Sequence, residues 1–387
     1  MKGAIRVMLT VTDLLKQARA FTGLDDFGEQ GFREGLDRLL MAIEREADLN
    51  LQGQALIEHQ ISELLISRLG IEQWYGKHPE IDDQEIVRPL IGLGLPRTGS
   101  TALACLLAED PATRSIRAWE SSSPCPPPET ATQYDDPRID VQKSRMVHMD
   151  QLSPRFKTML PLSPTAPSEC QHYMAYDFKS QLFQASVKVP SYVKWLNHEA
   201  DLVPTYQYVK RVLKLLQWRC PPNRWRLKNP SHILFIDALD TVFPDACYWM
   251  THRDVASVLP SVVDLYCELS RPYTDTLDVA WIREMNLDWT EAGLHRVARF
   301  RNSGNDSRFF DIDFLEMQSK PLEVIERLYA FLGEDLTSDA RSRMIAWRAE
   351  NSSSRQGKHK VDLDSLGIDL SEVRKRFDFY RSAHLVQ

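Results

Sequence analysis

The chain has 387 residues, of which 43% are hydrophobic and 26% charged, so it can bury a sizeable core as one elaborated domain or two smaller ones. Its formal net charge of −7 argues against general binding to nucleic acid or anionic membranes, and any basic site must be local. The six cysteines are scattered without a C-x-x-C pair, and neither a secretory segment nor an apolar run of membrane-spanning length is present. We therefore expect a cytoplasmic protein with reduced thiols.

The sequence of residues 1–85 predicts a separate helical region. Apolar residues recur at helical spacing from Leu36 to Ala47 and again from Ile57 to Leu69. No residue pattern there points to chemistry. We interpret this region as a helical cap or a partner surface, through which two copies of the chain could associate, and residues 86–387 as an α/β domain.

From Ile86 onwards, the pattern changes to strands that alternate with helices. The predicted strands are Val87–Leu93, Arg224–Leu227, Ala246–Thr251 and Arg308–Ile312. The predicted helices after the second strand are Ile233–Phe243, Asp254–Leu269, Asp278–Phe300 and Pro321–Leu332. This alternation indicates a parallel, three-layer α/β sheet with right-handed crossovers.

A helical insertion, residues 121–223, separates the first two strands. It opens with a serine- and proline-rich segment that cannot continue a helix, and it carries many aromatic residues. Insertions beside the ligand edge of such a sheet commonly build acceptor pockets. Each aromatic ring taken alone fits an ordinary helical core as well.

The segment Gly94–Thr101 follows the first strand and precedes a helix that includes Ala102 to Leu107. Its two glycines keep the spacing of the phosphate-binding pattern G-x-x-x-x-G-K-[ST], but Ser100 occupies the lysine position and Arg97 is the only cation. A glycine-rich turn before a helix N-terminus forms an anion site. The missing lysine suits a ligand with a substituted 5′-phosphate and no triphosphate.

Trp119-Glu120 lies soon after the helix that follows this loop. A carboxylate beside a bound anion is unfavourable unless it accepts a proton from an incoming hydroxyl. Glu120 is therefore a candidate general base. The alternative is a glutamate that caps a helix or forms a salt bridge.

The segment from Arg226 to His232 ends the second strand and begins the next helix. Lys228, at the strand end, could neutralise charge that develops on a transferring group. His232 could act as a base, because histidine titrates near neutrality. A hydrogen-bonding role at the helix N-terminus is the alternative for His232.

Two further groups could bind phosphate. Arg253 follows the third strand and Ser261 lies eight residues later, about two helical turns away, so the pair could hold a second phosphate. A basic segment from Arg355 to Lys360 includes Lys358 and is either a solvated loop or a phosphate contact.

Taken together, these motifs resemble the nucleotide-dependent sulfotransferase family, whose donor is 3′-phosphoadenosine-5′-phosphosulfate (PAPS). Pro96–Thr101 is similar to the family's 5′-phosphosulfate loop, and Arg253 with Ser261 is similar to its 3′-phosphate motif. Glu120 falls near the catalytic glutamate of protein-tyrosine and heparan-type members, and Lys228-Asn229-Pro230 resembles a Lys-x-Pro of several branches. The chain looks most like a bacterial branch with G-L-P-R-T-G-[ST]-T, Trp-Glu, K-[SN]-P-x-H and T-H-R-D segments.

The resemblance implies transfer of a sulfuryl group from PAPS, without a metal, to a hydroxyl of a small apolar acceptor such as a lipid, terpenoid or aromatic metabolite. The implied catalytic residues are Arg97, Lys228 and Glu120, with His232 as the other candidate base. The implied cofactor-binding residues are Pro96, Arg97, Thr98, Gly99, Ser100, Thr101, Arg253, Ser261, Arg355 and Lys358.

Two features depart from the family pattern. Val255 replaces the proline or glycine that commonly follows Arg-Asp. His232 lies four residues after Lys228, whereas in classical cytosolic members the histidine lies two residues after the lysine.

A phosphate-loop kinase, which would bind ATP with magnesium, is an alternative function, although the absent lysine counts against it. A protein that binds PAPS without turnover is the third alternative.

Overall fold

The structure is a computed structural model that describes residues 9–159, 163–222, 224–351 and 361–384. Arg355 and Lys358, which were predicted to contact a phosphate, lie outside the described residues.

The centre of the fold is a parallel sheet of four strands with the order β2-β1-β3-β4. The strands are Leu90–Gly94 (β1), Arg226–Lys228 (β2), Cys247–His252 (β3) and Phe309–Asp313 (β4). The register pairs Gly92 with Lys228 and Gly94 with Thr251. Because every pairing is parallel, the carboxyl ends of all four strands lie at one edge. The predicted parallel α/β fold is confirmed.

The first strand begins later than the sequence predicted. Val87 is 52% exposed and Arg88 has a φ of 42°, which is outside the extended region that a strand needs. The apolar character of Val87 therefore misled the sequence-based boundary, and pairing begins only at Leu90.

Helices fill the first half of the chain, as predicted. Those of the N-terminal region are Val11–Thr22 (α1), Phe32–Glu46 (α2) and Leu51–Lys77 (α3). The helix after the glycine-rich loop is Ser100–Ala108 (α4). The helices between it and β2 are Ala118–Ser122 (α5), Arg138–Leu152 (α6), Phe156–Met159 (α7), Gln171–Met174 (α8), Pro190–His198 (α9) and Val203–Gln217 (α10).

The second half contains the crossover helices and a helical C-terminal part. The helices are Ile236–Val242 (α11), Val255–Ser270 (α12), Val279–Phe300 (α13), Phe314–Ser319 (α14), Pro321–Leu332 (α15), Ser338–Asn351 (α16), Leu363–Leu366 (α17), Leu370–Arg376 (α18) and Asp378–His384 (α19). Short 3₁₀ helices cover Pro79–Asp83, Ala175–Asp177, Pro230–Leu234 and Asp306–Arg308. The helix predicted over Ile233–Phe243 is thus a 3₁₀ turn that begins at Pro230, followed by α11.

Alternate residues of the sheet face two different cores, which makes the three predicted layers. Ile91 and Leu93 belong to the larger core, together with α10, α12 and α13. Leu90 and Trp249 belong to the smaller core beneath α4 and α15. Gly92 allows the close approach, because a Cβ there would lie 2.1 Å from the Trp249 ring.

A buried arginine of α3 joins the N-terminal helices to the insertion. Arg68 is 1% exposed and donates to the carbonyl oxygens of Phe27 at 2.6 Å, Glu29 at 2.8 Å and Tyr176 at 3.1 Å. Its guanidinium also lies over the Tyr208 ring, 4.0 Å from the centroid. These contacts supply the partners that a buried cation needs.

Across the described part of the chain, none of the helices combines the length and the apolar character needed to cross a bilayer.

Candidate active site

The glycine-rich loop lies at the carboxyl edge of the sheet, between β1 and α4. Gly94, Arg97 and Gly99 all have positive φ, at 116°, 62° and 83°, and these angles turn the chain sharply into the helix. Gly99 precedes α4 and offers no side-chain cap to its first N–H groups. Free N–H groups and the positive helix end favour an anion at this position.

The Thr98 side chain holds the loop in place. It is fully buried, and its hydroxyl donates to the Leu95 carbonyl at 2.7 Å and shares a hydrogen bond of 2.5 Å with the Thr251 hydroxyl of β3. The hydroxyl of Thr98 is thus engaged inside the protein. What Thr98 can offer to an anion is its backbone N–H.

Three of the predicted phosphate-binding residues meet beside the loop. Arg97 Nε donates to Ser261 Oγ of α12 at 3.0 Å, and an Arg253 nitrogen donates to the Arg97 carbonyl at 3.0 Å. Arg97 also donates to the Met159 carbonyl at 2.8 Å. The two motifs, which lie more than 150 residues apart in sequence, therefore form one group in space.

The two guanidinium groups in this cluster lack acidic partners. Within the described ranges, neither Arg97 nor Arg253 forms an ion pair with a carboxylate. Burial lowers the pKa of both arginines, and the charge of Arg253 lowers that of Arg97 further, whereas Asp254 opposes the shift at Arg253. Half-buried cations without counter-charges are unfavourable. An anionic ligand would remove this penalty.

Lys228, at the end of β2, faces the start of α4. Its ammonium lies 3.3 Å from Thr101 Oγ1 and 2.7 Å from Glu169 Oε1, and the residue is 6% exposed. The backbone N–H of Cys170 donates to the Lys228 carbonyl at 3.1 Å. The strand thus fixes both the lysine and the segment that carries Glu169.

Glu120 occupies a different environment from the one predicted for a base. It is fully buried, and it pairs with Arg114 at 2.7 Å and with Arg117 at 3.5 Å. It also accepts from the Arg117 backbone N–H at 3.0 Å, which caps α5. Its oxygens are therefore occupied by internal donors. This geometry matches the alternative of a salt-bridged, capping glutamate.

His232 is also enclosed. The residue is 1% exposed, its Nδ1 lies 2.8 Å from the Tyr206 hydroxyl, and burial lowers its pKa to about 3. Its Nε2 is buried and has no hydrogen-bond partner within the described residues. The imidazole is therefore neutral at physiological pH. None of its described hydrogen bonds reaches the loop.

One group of described side chains has the donor atoms for a metal ion. The ligand atoms of His252, Asp311 and His384 lie within 4.8 Å of one another. However, the two imidazole rings stack at 4.0 Å with an angle of 18°, whereas metal-binding rings must point their nitrogens at one ion. Asp311 also accepts from His252 at 2.7 Å and from Arg301 at 2.6 and 2.8 Å. His252, Asp311 and Arg301 therefore form a hydrogen-bonded chain at the carboxyl ends of β3 and β4, and His384 stacks on it.

Several contacts at the carboxyl edge of the sheet were not predicted from the sequence. Glu169 and Met159 both come from the insertion, which has no motif that marks them. Phe314 follows β4, and its ring lies 4.1 Å from the Arg253 guanidinium. An apolar residue after the fourth strand was the only available signal, and it is too common to be informative.

Comparisons with known proteins identify the family to which the chain belongs. The sequence model described as "Sulfotransferase family" matches residues 89–339. The sulfotransferase STF9 from Mycobacterium avium is 30% identical, with a TM-score of 0.91 over 100% of this chain and 99% of that chain. STF1 from Mycobacterium tuberculosis H37Rv is 29% identical, with a TM-score of 0.84 over 96% of this chain and 98% of that chain. A search of curated proteins gave no match. The family match over most of the chain, together with the whole-length likeness to STF9, establishes that this protein belongs to the sulfotransferase family.

Proposed function

We propose that this sulfotransferase uses PAPS as its donor and transfers the sulfuryl group to a hydroxyl of a small, apolar acceptor. The observation that carries the proposal is the cluster of Arg97, Arg253 and Ser261 beside the N-terminus of α4. It offers two cations and a hydroxyl without internal counter-charges. A nucleotide with phosphates at two separate positions would supply the missing anions.

The residues divide into two groups around such a donor. The backbone N–H groups from Thr98 to Thr101 would hold the 5′-phosphate, as other helix N-termini hold phosphate. Arg253 and Ser261 would hold the 3′-phosphate. ATP lacks that phosphate and would leave Arg253 unpaired, so the pocket would select against it.

The chemistry requires charge stabilisation and a proton acceptor. The acceptor oxygen would form a bond to sulfur while the bond between sulfur and the 5′-phosphate oxygen breaks. Lys228 and Arg97 would stabilise the charge that develops on the departing phosphate oxygen, as in phosphoryl transfer. No metal is needed in this scheme. Glu120 and His232 are the bases that the sequence predicted, but Glu120 is paired internally and His232 is enclosed. We therefore also consider the carboxylate that pairs with Lys228.

The apolar acceptor is proposed from the aromatic composition of the insertion. Most aromatic side chains of the insertion are buried core residues, among them Tyr173, Phe183 and Tyr192, so they do not by themselves indicate a pocket. Tyr266 of α12 is different. Its side chain is only partly buried, and its pKa is raised by burial and, to a smaller extent, by the charge of Glu169.

Calorimetry would test the donor. We expect 3′-phosphoadenosine-5′-phosphate (PAP) to bind and ATP with magnesium not to bind. Binding of ATP with magnesium in preference to PAP would instead support a kinase. Release of radiolabelled sulfate or sulfated product from labelled PAPS, with water or a panel of phenols and long-chain alcohols as acceptors, would then test transfer. PAP binding without any turnover would support the silent binding protein.

A further inference from the structure

Glu169 lies in the position that the proposed reaction requires for a proton acceptor. Its Oε1 is 2.7 Å from the Lys228 ammonium, which in turn is 3.3 Å from Thr101 Oγ1 at the start of α4. One side chain therefore separates the carboxylate from the loop that would hold the 5′-phosphosulfate. Within the described ranges, Glu169 is the carboxylate that pairs with Lys228.

The backbone fixes Glu169 from both sides. The N–H of Ser168 donates to the Ile116 carbonyl at 2.7 Å, and the N–H of Cys170 donates to the Lys228 carbonyl at 3.1 Å. The residues before and after the glutamate are thus tied to the segment after α4 and to β2. A side chain held in this way can be positioned within the small tolerance that proton transfer needs.

The carboxylate of Glu169 is accessible, in contrast to that of Glu120. The Glu169 side chain is 23% exposed, whereas that of Glu120 is 0% exposed. Gln171 Nε2 donates to Glu169 Oε2 at 2.7 Å, so the amide orients the carboxylate without adding a second cation. Glu169 also forms an ion pair, with Lys228, but its partly exposed carboxylate can meet a bound alcohol once the lysine turns to the donor. The fully buried Glu120 would have to leave the protein interior to do so.

The groups around Glu169 suit an apolar hydroxyl acceptor. The negative charge of Glu169 raises the pKa of Tyr266 in addition to burial, and it opposes the burial that lowers the pKa of His172. His172 is also held beside the glutamate by geometry, because its backbone N–H donates to the Glu169 carbonyl at 3.2 Å. An alcohol that packs against them would present its hydroxyl to Glu169.

We infer that Glu169 is the general base of the sulfuryl transfer, an assignment that rests on the proposed function. In the free protein, Lys228 neutralises Glu169. With the donor at the loop, the lysine also has sulfuryl and phosphate oxygens to pair with, which leaves the carboxylate free to accept a proton. The acceptor hydroxyl gives its proton to Glu169 as its oxygen bonds to sulfur. The electron pair of the breaking sulfur–oxygen bond stays on the 5′-phosphate of PAP beside Lys228, and the proton later leaves Glu169 for water.

Glu169→Gln tests this role, because the amide keeps the size of the side chain and an oxygen for Lys228. With labelled PAPS and a series of substituted phenols, we expect turnover to fall about 100-fold or more. PAP affinity by calorimetry should stay within about threefold of wild type, since the phosphate ligands are untouched. Glu199→Gln, on the exposed surface of the same insertion, is the matched control and should retain full turnover. If the wild type accepts none of the phenols, the slow hydrolysis of PAPS gives the same comparison with water as acceptor.

The acidity of the phenol separates a base from a structural ion pair. A base matters less for an acceptor that ionises readily, so the deficit of Glu169→Gln should shrink from phenol to p-nitrophenol. Glu169→Asp should retain part of the activity. An equal deficit with every phenol, or wild-type turnover in Glu169→Gln, would refute the assignment. Failure of the wild type to bind PAP would refute the proposed function itself and is therefore a distinguishable result.

Discussion

Arg97 Nε and Ser261 Oγ lie 3.0 Å apart, although the two residues are 164 positions apart in sequence. The contact joins the proposed 5′-phosphosulfate loop to the proposed 3′-phosphate site. Ser261→Ala should raise the Kd for PAP about tenfold, because a hydrogen bond to a charged group contributes roughly 1.5–3 kcal/mol. Calorimetry with 5′-AMP should show a smaller change. Ser257→Ala, an exposed position one turn earlier in α12, should bind both nucleotides as the wild type does.

Arg253 provides the stronger test of a second phosphate. Its guanidinium has a carbonyl and an aromatic ring as neighbours, at 3.0 Å from the Arg97 oxygen and 4.1 Å from the Phe314 centroid. Arg253→Ala should weaken PAP binding by about 100-fold, since a buried phosphate would lose its cation. The exposed Arg299 gives a charge-matched control, Arg299→Ala. Equal weakening of PAP and 5′-AMP by Arg253→Ala would refute the two-phosphate arrangement.

Glu120 should prove important for stability. Removing one partner of a buried ion pair costs about 3–5 kcal/mol, because the other charge is left uncompensated. Glu120→Gln would leave the charge of Arg114, which is 3% exposed, buried and without its carboxylate. We expect a lower free energy of unfolding in urea denaturation and a loss of turnover that follows the loss of folded protein.

A paired substitution provides the control for this prediction. Arg114→Met combined with Glu120→Leu removes both charges of the fully buried pair. It leaves Arg117, whose side chain is 14% exposed, as the one cation without its carboxylate, and it should recover much of the lost stability. If Glu120→Gln instead folds with wild-type stability, binds PAP and has no turnover, Glu120 would be the base after all.

The order of elements and the motifs at their ends could be predicted from the sequence because strand and helix periods are local properties. The helices predicted at Asp254–Leu269 and Pro321–Leu332 follow clear apolar patterns, and the structure has helices at Val255–Ser270 and Pro321–Leu332. The loop between Gly94 and Thr101 was identifiable because its chemistry depends on glycine spacing. These features need no knowledge of distant contacts.

The partners of the charged residues could not be predicted in the same way. Glu120 is neutralised by Arg114, only six residues away, yet neither residue carries a signal of its burial. Glu169 reaches Lys228 across 59 positions, through an insertion whose path the sequence does not specify. Charge pairing over such separations depends on the tertiary fold, and that is where sequence reasoning about the base was weakest.

His232 makes the stability of the protein depend on pH. Burial lowers its pKa to about 3 from an ordinary value of 6.5, so the folded protein favours the neutral imidazole. Above pH 6.5 neither state holds the proton, and the full stability is present. As the pH falls from 6.5 towards 3, the unfolded chain binds a proton that the folded protein does not, and stability is lost at up to about 1.4 kcal/mol per pH unit.

His232→Asn isolates this contribution, since it removes the titrating ring and keeps a polar atom near the Tyr206 hydroxyl. The smaller side chain lowers the free energy of unfolding by the same amount at every pH. This cost cancels when the free energy of unfolding in urea at pH 5 is subtracted from the value at pH 7 for each protein. The wild type should lose about 2 kcal/mol more than His232→Asn over this interval. Because other carboxylates and histidines titrate in both proteins, the difference between the two losses reports on His232 alone. Equal losses would mean that His232 is protonated in the folded state, and a charged His232 would again be a candidate for the proton transfer that we assign to Glu169.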